Sequence, residues 1–92
     1  MSSVAAELKI RGLVQGVGYR YYCYRKALNL NLTGWARNNR DGSVSAHVEG
    51  ERGAIEAFIK DIKAGPPSAS VTEVDVSWSD FTGQYPRFDI TF

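Results

Sequence analysis

Between Gly12 and Arg20 the spacing of apolar residues changes period, and that change constrains the fold more than any other feature of the chain. Before it, Glu7, Lys9 and Arg11 alternate with Leu8, Ile10 and Leu13, the pattern of a half-buried strand. After it, Tyr19, Cys23, Ala27 and Leu30 fall at i, i+4, i+8 and i+11, the stripe of an amphipathic helix. The junction Gly12-Leu13-Val14-Gln15-Gly16-Val17-Gly18-Tyr19-Arg20 holds three glycines, so the backbone can turn its N–H groups inward without side-chain obstruction. The following helix adds its positive N-terminal end, and Arg20 adds a planar bidentate donor. Strand, glycine turn and helix together read as an anion cradle. Its donors are the backbone amides of Gln15, Gly16, Val17, Gly18, Tyr19 and Arg20.

Further along, Leu32 to Asn38 reads as a second strand, and Val44, Ala46 and Val48 alternate with Ser45, His47 and Glu49 in a third. Asp41-Gly42 between them marks a hairpin. Ile55, Phe58, Ile59 and Ile62 predict a second amphipathic helix, with Glu51 near its start, Lys60 and Lys63 near its end, and Gly65-Pro66-Pro67 to stop it. Val74, Val76 and Trp78 alternate with Glu73, Asp75 and Ser77 in a fourth strand. Phe88, Ile90 and Phe92 mark a short fifth beyond the turn-rich Thr82-Gly83-Gln84-Tyr85-Pro86. The order β-α-β-β-α-β plus a short strand predicts an α+β, ferredoxin-like split βαβ sandwich, two helices on one face of a mainly antiparallel sheet. With 92 residues and 43% hydrophobic content, there is room for one core and one domain, residues 1–92.

Composition removes several function classes. A formal net charge of +1, spread along the chain, provides no basic stripe for nucleic acid. No apolar run reaches the length of a signal peptide or a membrane span, so the expectation is a cytoplasmic, monomeric protein with no membrane partner. Cys23 is the single cysteine and lies on the apolar stripe, which predicts a buried, inert thiol. His47 lies on the polar side of its strand and is expected to be solvent-exposed. No His, Cys and carboxylate cluster has ligand spacing, so no metal or other cofactor is expected. The glycine loop lacks the lysine-serine or lysine-threonine ending of a nucleotide-binding loop.

Taken with Ala27, Leu30, Gly34-Trp35-Ala36-Arg37-Asn38, Asp41-Gly42, Gly65-Pro66-Pro67 and Phe88-Asp89-Ile90, the stretch from Gly12 to Arg20 resembles the acylphosphatase family over nearly the whole chain. Two positions depart from that family's pattern. Tyr19 stands where phenylalanine is common, adding a hydroxyl that needs a partner, and Gly18 occupies a variable position of the motif. The resemblance implies hydrolysis of a carboxyl-phosphate anhydride, an acyl phosphate, to carboxylate and inorganic phosphate, without metal. It implies that Arg20 and the Gln15–Arg20 loop hold the phosphate, that inorganic phosphate competes for the loop, and that Asn38 positions the attacking water. It also implies that the Phe92 carboxylate approaches Arg20.

Elementary chemistry agrees with those roles. Phosphoryl transfer spreads charge over the equatorial oxygens, where preset donors supply most of the catalysis. The leaving carboxylate has a conjugate acid of pKa about 4 and needs no proton at neutral pH. A carboxamide such as Asn38 can orient a water but cannot act as a base. Taken alone, Arg20 would be a solvated surface charge and Asn38 a hairpin residue; the surrounding motif raises both. Tyr21, Tyr22 and Tyr24 read as packing and rim. A non-catalytic module that binds acyl phosphate or phosphate on the same fold is the alternative, and the presence of both Arg20 and Asn38 favours the enzyme. An RNA-binding module would need exposed aromatics on the central strands, and Leu8-Lys9-Ile10 and Val44 to Val48 supply none.

Overall fold

The computed structural model describes residues 2–91. Its elements are β1 (Ser3–Leu13), α1 (Tyr19–Asn29), β2 (Thr33–Asn38), β3 (Val44–Glu51), α2 (Arg52–Ala64), β4 (Ser70–Asp80) and β5 (Phe88–Ile90). Strand order is β4-β1-β3-β2-β5, with β2 and β5 parallel and every other neighbouring pair antiparallel. Each helix is a crossover between strands that are not neighbours: α1 carries the chain from β1 to β2, and α2 from β3 to β4. The strand left between each such pair fills the gap by antiparallel pairing, which yields the ferredoxin-like α+β plan predicted from element order.

Period-two alternation decides which side chains enter the core. Leu8 and Ile10 of β1, Ala36 of β2 and Val44, Ala46 and Val48 of β3 form one buried cluster with Tyr19, Cys23 and Ala27 of α1 and Ile55, Phe58 and Ile62 of α2. Fully burying a side chain of the size of Phe58 or Ile10 contributes roughly 1.5–3 kcal/mol, so this shared layer is the main source of stability. Leu13 does not join it. It is 59% exposed, and Val14 is buried in its stead. The cause is parity: the alternation that Leu8 and Ile10 begin continues through Gly12 to Val14 and turns the odd-numbered Leu13 outward, while a register shift against β4 falls between Arg11 and Gly12.

The face of the sheet opposite the helices supplies a second correction. His47 does alternate away from the core, but its side chain is only 12% exposed. It stacks with Trp35 (ring centroids 6.0 Å apart) and lies against Tyr85 (5.1 Å), and its Nε2–H donates to Glu49 at 2.8 Å. Glu49 is itself buried, and its carboxylate also accepts from the Thr82 amide (3.1 Å), the Thr82 hydroxyl (2.7 Å) and the Gly83 amide (3.0 Å). Burial alone would raise this carboxyl; the bonds from His47, Thr82 and Gly83 override it and hold the pKa down to about 2. The connection from β4 to β5 therefore folds over the open face. Strand periodicity carries no information about where a loop lands.

Candidate active site

The turn between β1 and α1 is shaped by two left-handed glycines. Gly16 has φ 74° and Gly18 φ 75°, while Val17 between them keeps an ordinary negative φ. Such alternation of sign along successive residues is the backbone geometry of an anion-binding nest. A Cβ on either glycine would meet nothing within 4 Å, so it is the backbone conformation, and not lack of space, that calls for glycine here. Among the described residues, the N–H groups of Gly16, Val17 and Gly18 donate to no protein acceptor. Gly18 is the N-cap of α1 and provides no side-chain cap, and no acidic residue occupies the first turn. The positive end of that helix is therefore unopposed by a local carboxylate, which favours an anion above it.

Side chains from three directions fix this turn. The Gln15 Nε2 amide donates to the carbonyls of Asn39 (2.7 Å) and Ser43 (2.9 Å), joining the turn to the β2–β3 hairpin. The hairpin is braced in turn by Asn39 Nδ2, which donates to Ser43 Oγ (2.9 Å) and Ser45 Oγ (2.8 Å). On the opposite flank, Ser68 donates to the Val17 carbonyl at 2.9 Å. Beneath, the hydroxyl that distinguishes Tyr19 donates to the Ile62 carbonyl at 2.7 Å, so the partner it needs is the last part of α2. Burial raises the Tyr19 hydroxyl far above the ordinary tyrosine range and pushes Cys23 up to about 12, which leaves the thiol protonated and inert.

Arg20 lies one residue into α1, and its Nη1 donates to the Thr91 carbonyl at 2.9 Å. Thr91 is tied to β2, its amide donating to the Ala36 carbonyl at 2.8 Å. Asn38, two residues beyond Ala36, ends β2 on the face that packs against the helices. The result is an open cleft of about 250 Å³ lined by Val14, Gly16, Gly18, Tyr19, Arg20, Tyr21, Asn38 and Ile90.

Five of the seven predicted site residues, Gly16, Gly18, Tyr19, Arg20 and Asn38, line this cleft. Gln15 and Val17 do not, and their side chain and carbonyl respectively are used to tether the turn. Tyr19 contributes by its backbone alone, because its ring is buried. The role of Phe92 lies outside the described residues. Thr91, Asn39 and Ser43 were invisible to sequence reasoning, because their part depends on which chain segments meet. The spacing of Asn39 and Ser43 across the Asp41-Gly42 turn was the one available hint.

Chemically, the cleft offers backbone amides, one guanidinium, one carboxamide and Tyr21 at its rim, and among the described residues neither imidazole, thiol nor carboxylate lines it. Among the described residues, no group of three His, Cys, Asp or Glu side chains is placed to hold a metal ion. Such an arrangement can bind a tetrahedral anion and aim a neutral nucleophile at it, but it has no proton donor for a poor leaving group. Comparison with known proteins points the same way. A family model described as acylphosphatase matches residues 6–90. Relatives of that name from Syntrophotalea carbinolica and Pelotomaculum thermopropionicum are 38% and 41% identical, each over 92 residues and the full length of both chains. The crystal structure of acylphosphatase from Bacillus subtilis superposes with a TM-score of 0.93 at 34% identity, covering 97% of this chain and 99% of that one.

Proposed function

The chain belongs to the acylphosphatase family and is an enzyme that hydrolyses acyl phosphates, and from that premise we propose how its own residues divide the work. The amides of Gln15 to Arg20 and the Arg20 guanidinium hold the phosphoryl oxygens and meet the charge that builds there in the transition state. Asn38 accepts a hydrogen bond from the attacking water and holds it in line. The water oxygen bonds to phosphorus, the bond from phosphorus to the bridging oxygen breaks, and its electron pair leaves on the carboxylate. The proton of the water passes to a phosphoryl oxygen or to solvent. No side chain changes protonation.

The observation that carries this reading is that one cleft is lined jointly by the glycine turn, Arg20 and Asn38, which come from separate elements. The Thr91 carbonyl supports it by fixing Arg20 at the end of β2, since a guanidinium already held loses less freedom when it binds. Metal has no task here, because amides and a guanidinium take the place of Mg²⁺. Inorganic phosphate, as product, competes for the same turn. We also place the enzyme in the cytoplasm as a monomer; among the described residues no helix is long and apolar enough to cross a membrane.

Hydrolysis of benzoyl phosphate tests the proposal. The expected result is multiple turnover that a chelator leaves intact and that inorganic phosphate inhibits competitively. Binding of phosphate without turnover would instead identify a non-catalytic module. Loss of rate with chelator would overturn the metal-free mechanism.

A further inference from the structure

A second cleft, of about 290 Å³, adjoins the first and shares two residues with it, Gly18 and Tyr21. Its remaining walls include Tyr22, Arg25, Lys26 and Pro66. The phosphate cleft meets this neighbour along the Gly18–Tyr21 edge, and Asn38 lines only the phosphate cleft. In-line displacement requires the acyl group to leave on the side opposite the attacking water, so a water held by Asn38 directs the acyl group away from Asn38. The edge formed by Gly18 and Tyr21 is where the phosphate cleft continues into a neighbour that Asn38 does not line.

The chemistry of that second cleft is specific. Tyr21 and Tyr22 offer ring faces, and Tyr22 is immobilised because its hydroxyl donates to the Asp61 carbonyl at 2.7 Å while its ring stacks with Tyr19. Lys26 Nζ sits 5.3 Å from the centre of the Tyr22 ring. Arg25 and Lys26, like Arg37, Arg40, Lys60 and Lys63, form no ion pair with a described carboxylate, but of these only Arg25 and Lys26 line this cleft. Asp61, the acidic residue beside Tyr22, does not line the cleft. Arg25 lies four residues beyond Tyr21 on α1, on the same face about 6 Å along the axis, and helix side chains lean back toward the N-terminus. Its charge is thus within reach of the far end of a short acyl group whose phosphate sits in the turn.

We propose that this cleft is the acyl subsite and that it selects acyl phosphates carrying a second anionic group, such as a carboxylate, at the end of the acyl chain remote from the phosphate. The proposal rests on the acyl phosphate hydrolase reading above and adds a substrate class to it. Ring faces of Tyr21 and Tyr22 take the apolar body of the acyl group, and Arg25 and Lys26 take its distal charge.

The test compares kcat/KM for benzoyl phosphate and 4-carboxybenzoyl phosphate, which differ only by the distal carboxylate, in the wild type and in an Arg25→Gln/Lys26→Gln double variant. Two partly exposed cations predict a preference of about 3- to 10-fold for the carboxylated substrate, carried in KM and shrinking as salt is raised. The double variant should bring the ratio to one or below while its kcat for benzoyl phosphate stays unchanged. Removing the same charge from the other helix, by Lys60→Gln/Lys63→Gln, should leave the ratio as in the wild type. A wild-type ratio of one or less, or one that the double variant does not move, overturns the acyl subsite while leaving the hydrolase reading intact. No turnover of either substrate would overturn the hydrolase reading itself.

Discussion

The molecule handles negative charge in two places, on opposite faces of one sheet, with the same kind of donor and opposite results. On the open face, backbone amides of Thr82 and Gly83, the Thr82 hydroxyl and His47 enclose the carboxylate of Glu49, an anion that the chain itself supplies. On the helical side, the amides of Gly16, Val17 and Gly18 meet no acceptor among the described residues, in a turn shaped by two left-handed glycines and an uncapped helix start. Both sites draw on the strength of charge-assisted N–H bonds. The difference is covalent. Where the anion belongs to the protein, those bonds secure the β4–β5 connection; where it must arrive from solution, they are left for the binding and catalysis proposed above. Whether a nest of amides is structural or functional is decided by whether the chain provides its own acidic side chain to fill it.

Substitutions on the two sides should therefore separate activity from stability. Arg20→Gln should lower kcat/KM for benzoyl phosphate by about 10³- to 10⁵-fold and weaken phosphate binding while the chain stays folded. Near wild-type turnover would remove Arg20 from the mechanism. Asn38→Ala should cost about 10²- to 10³-fold in kcat and leave phosphate affinity in place, as expected of a group that holds water and not phosphate. Parallel losses in both would move Asn38 into the cradle.

On the other face the effect should appear in denaturation and hardly in turnover. Glu49→Ala leaves the Thr82 and Gly83 amides without their acceptor and should cost about 2–4 kcal/mol in urea unfolding. The same carboxylate makes stability pH-dependent. Its folded pKa of about 2 lies below the ordinary 4.5, so its contribution is complete above pH 4.5 and disappears as pH falls toward 2. Turnover should be nearly flat from about pH 5 to 8, since neither a guanidinium nor a carboxamide titrates there. Glu49→Gln should flatten the acid limb of the stability curve without altering the rate profile; a bell-shaped rate profile would show that the two sites are not independent. The smallest effect should come from Gly16→Val, about 1–3 kcal/mol of backbone strain at φ 74°. Because a Cβ there meets nothing, Gly16→Ala should cost nearly as much, and a large gap between the two would point to a steric cause instead.

The geometry of the glycine turn and of the end of β2 was legible in the sequence because its determinants are local. A change of apolar period announces the strand, turn and helix, glycines announce the nest, and alternation along β2 places Asn38 on the face shared by Ala36. The structural side was not. Glu49 and His47 sit at positions whose alternation reads as outward and polar, and only the path of residues 81–87 across the sheet converts outward into buried. Leu13 misled for a simpler reason: it is odd-numbered, and the alternation of Leu8 and Ile10 passes through Gly12 to Val14. Gln15 fell between the two cases: its membership of the turn was local, whereas the Asn39 and Ser43 carbonyls that engage its side chain became visible only in three dimensions.

The bond from Arg20 to the Thr91 carbonyl joins positions 71 residues apart. It closes a loop nearly as long as the one closed by the pairing of Val4 with Asp80, and the entropy of that closure must be met before the guanidinium is held. The central sheet can assemble from β1, β3 and the hairpin without it. During refolding, then, turnover should return together with or after sheet formation and never ahead of it, which makes enzymatic activity a clock for the final stretch of chain reaching its place.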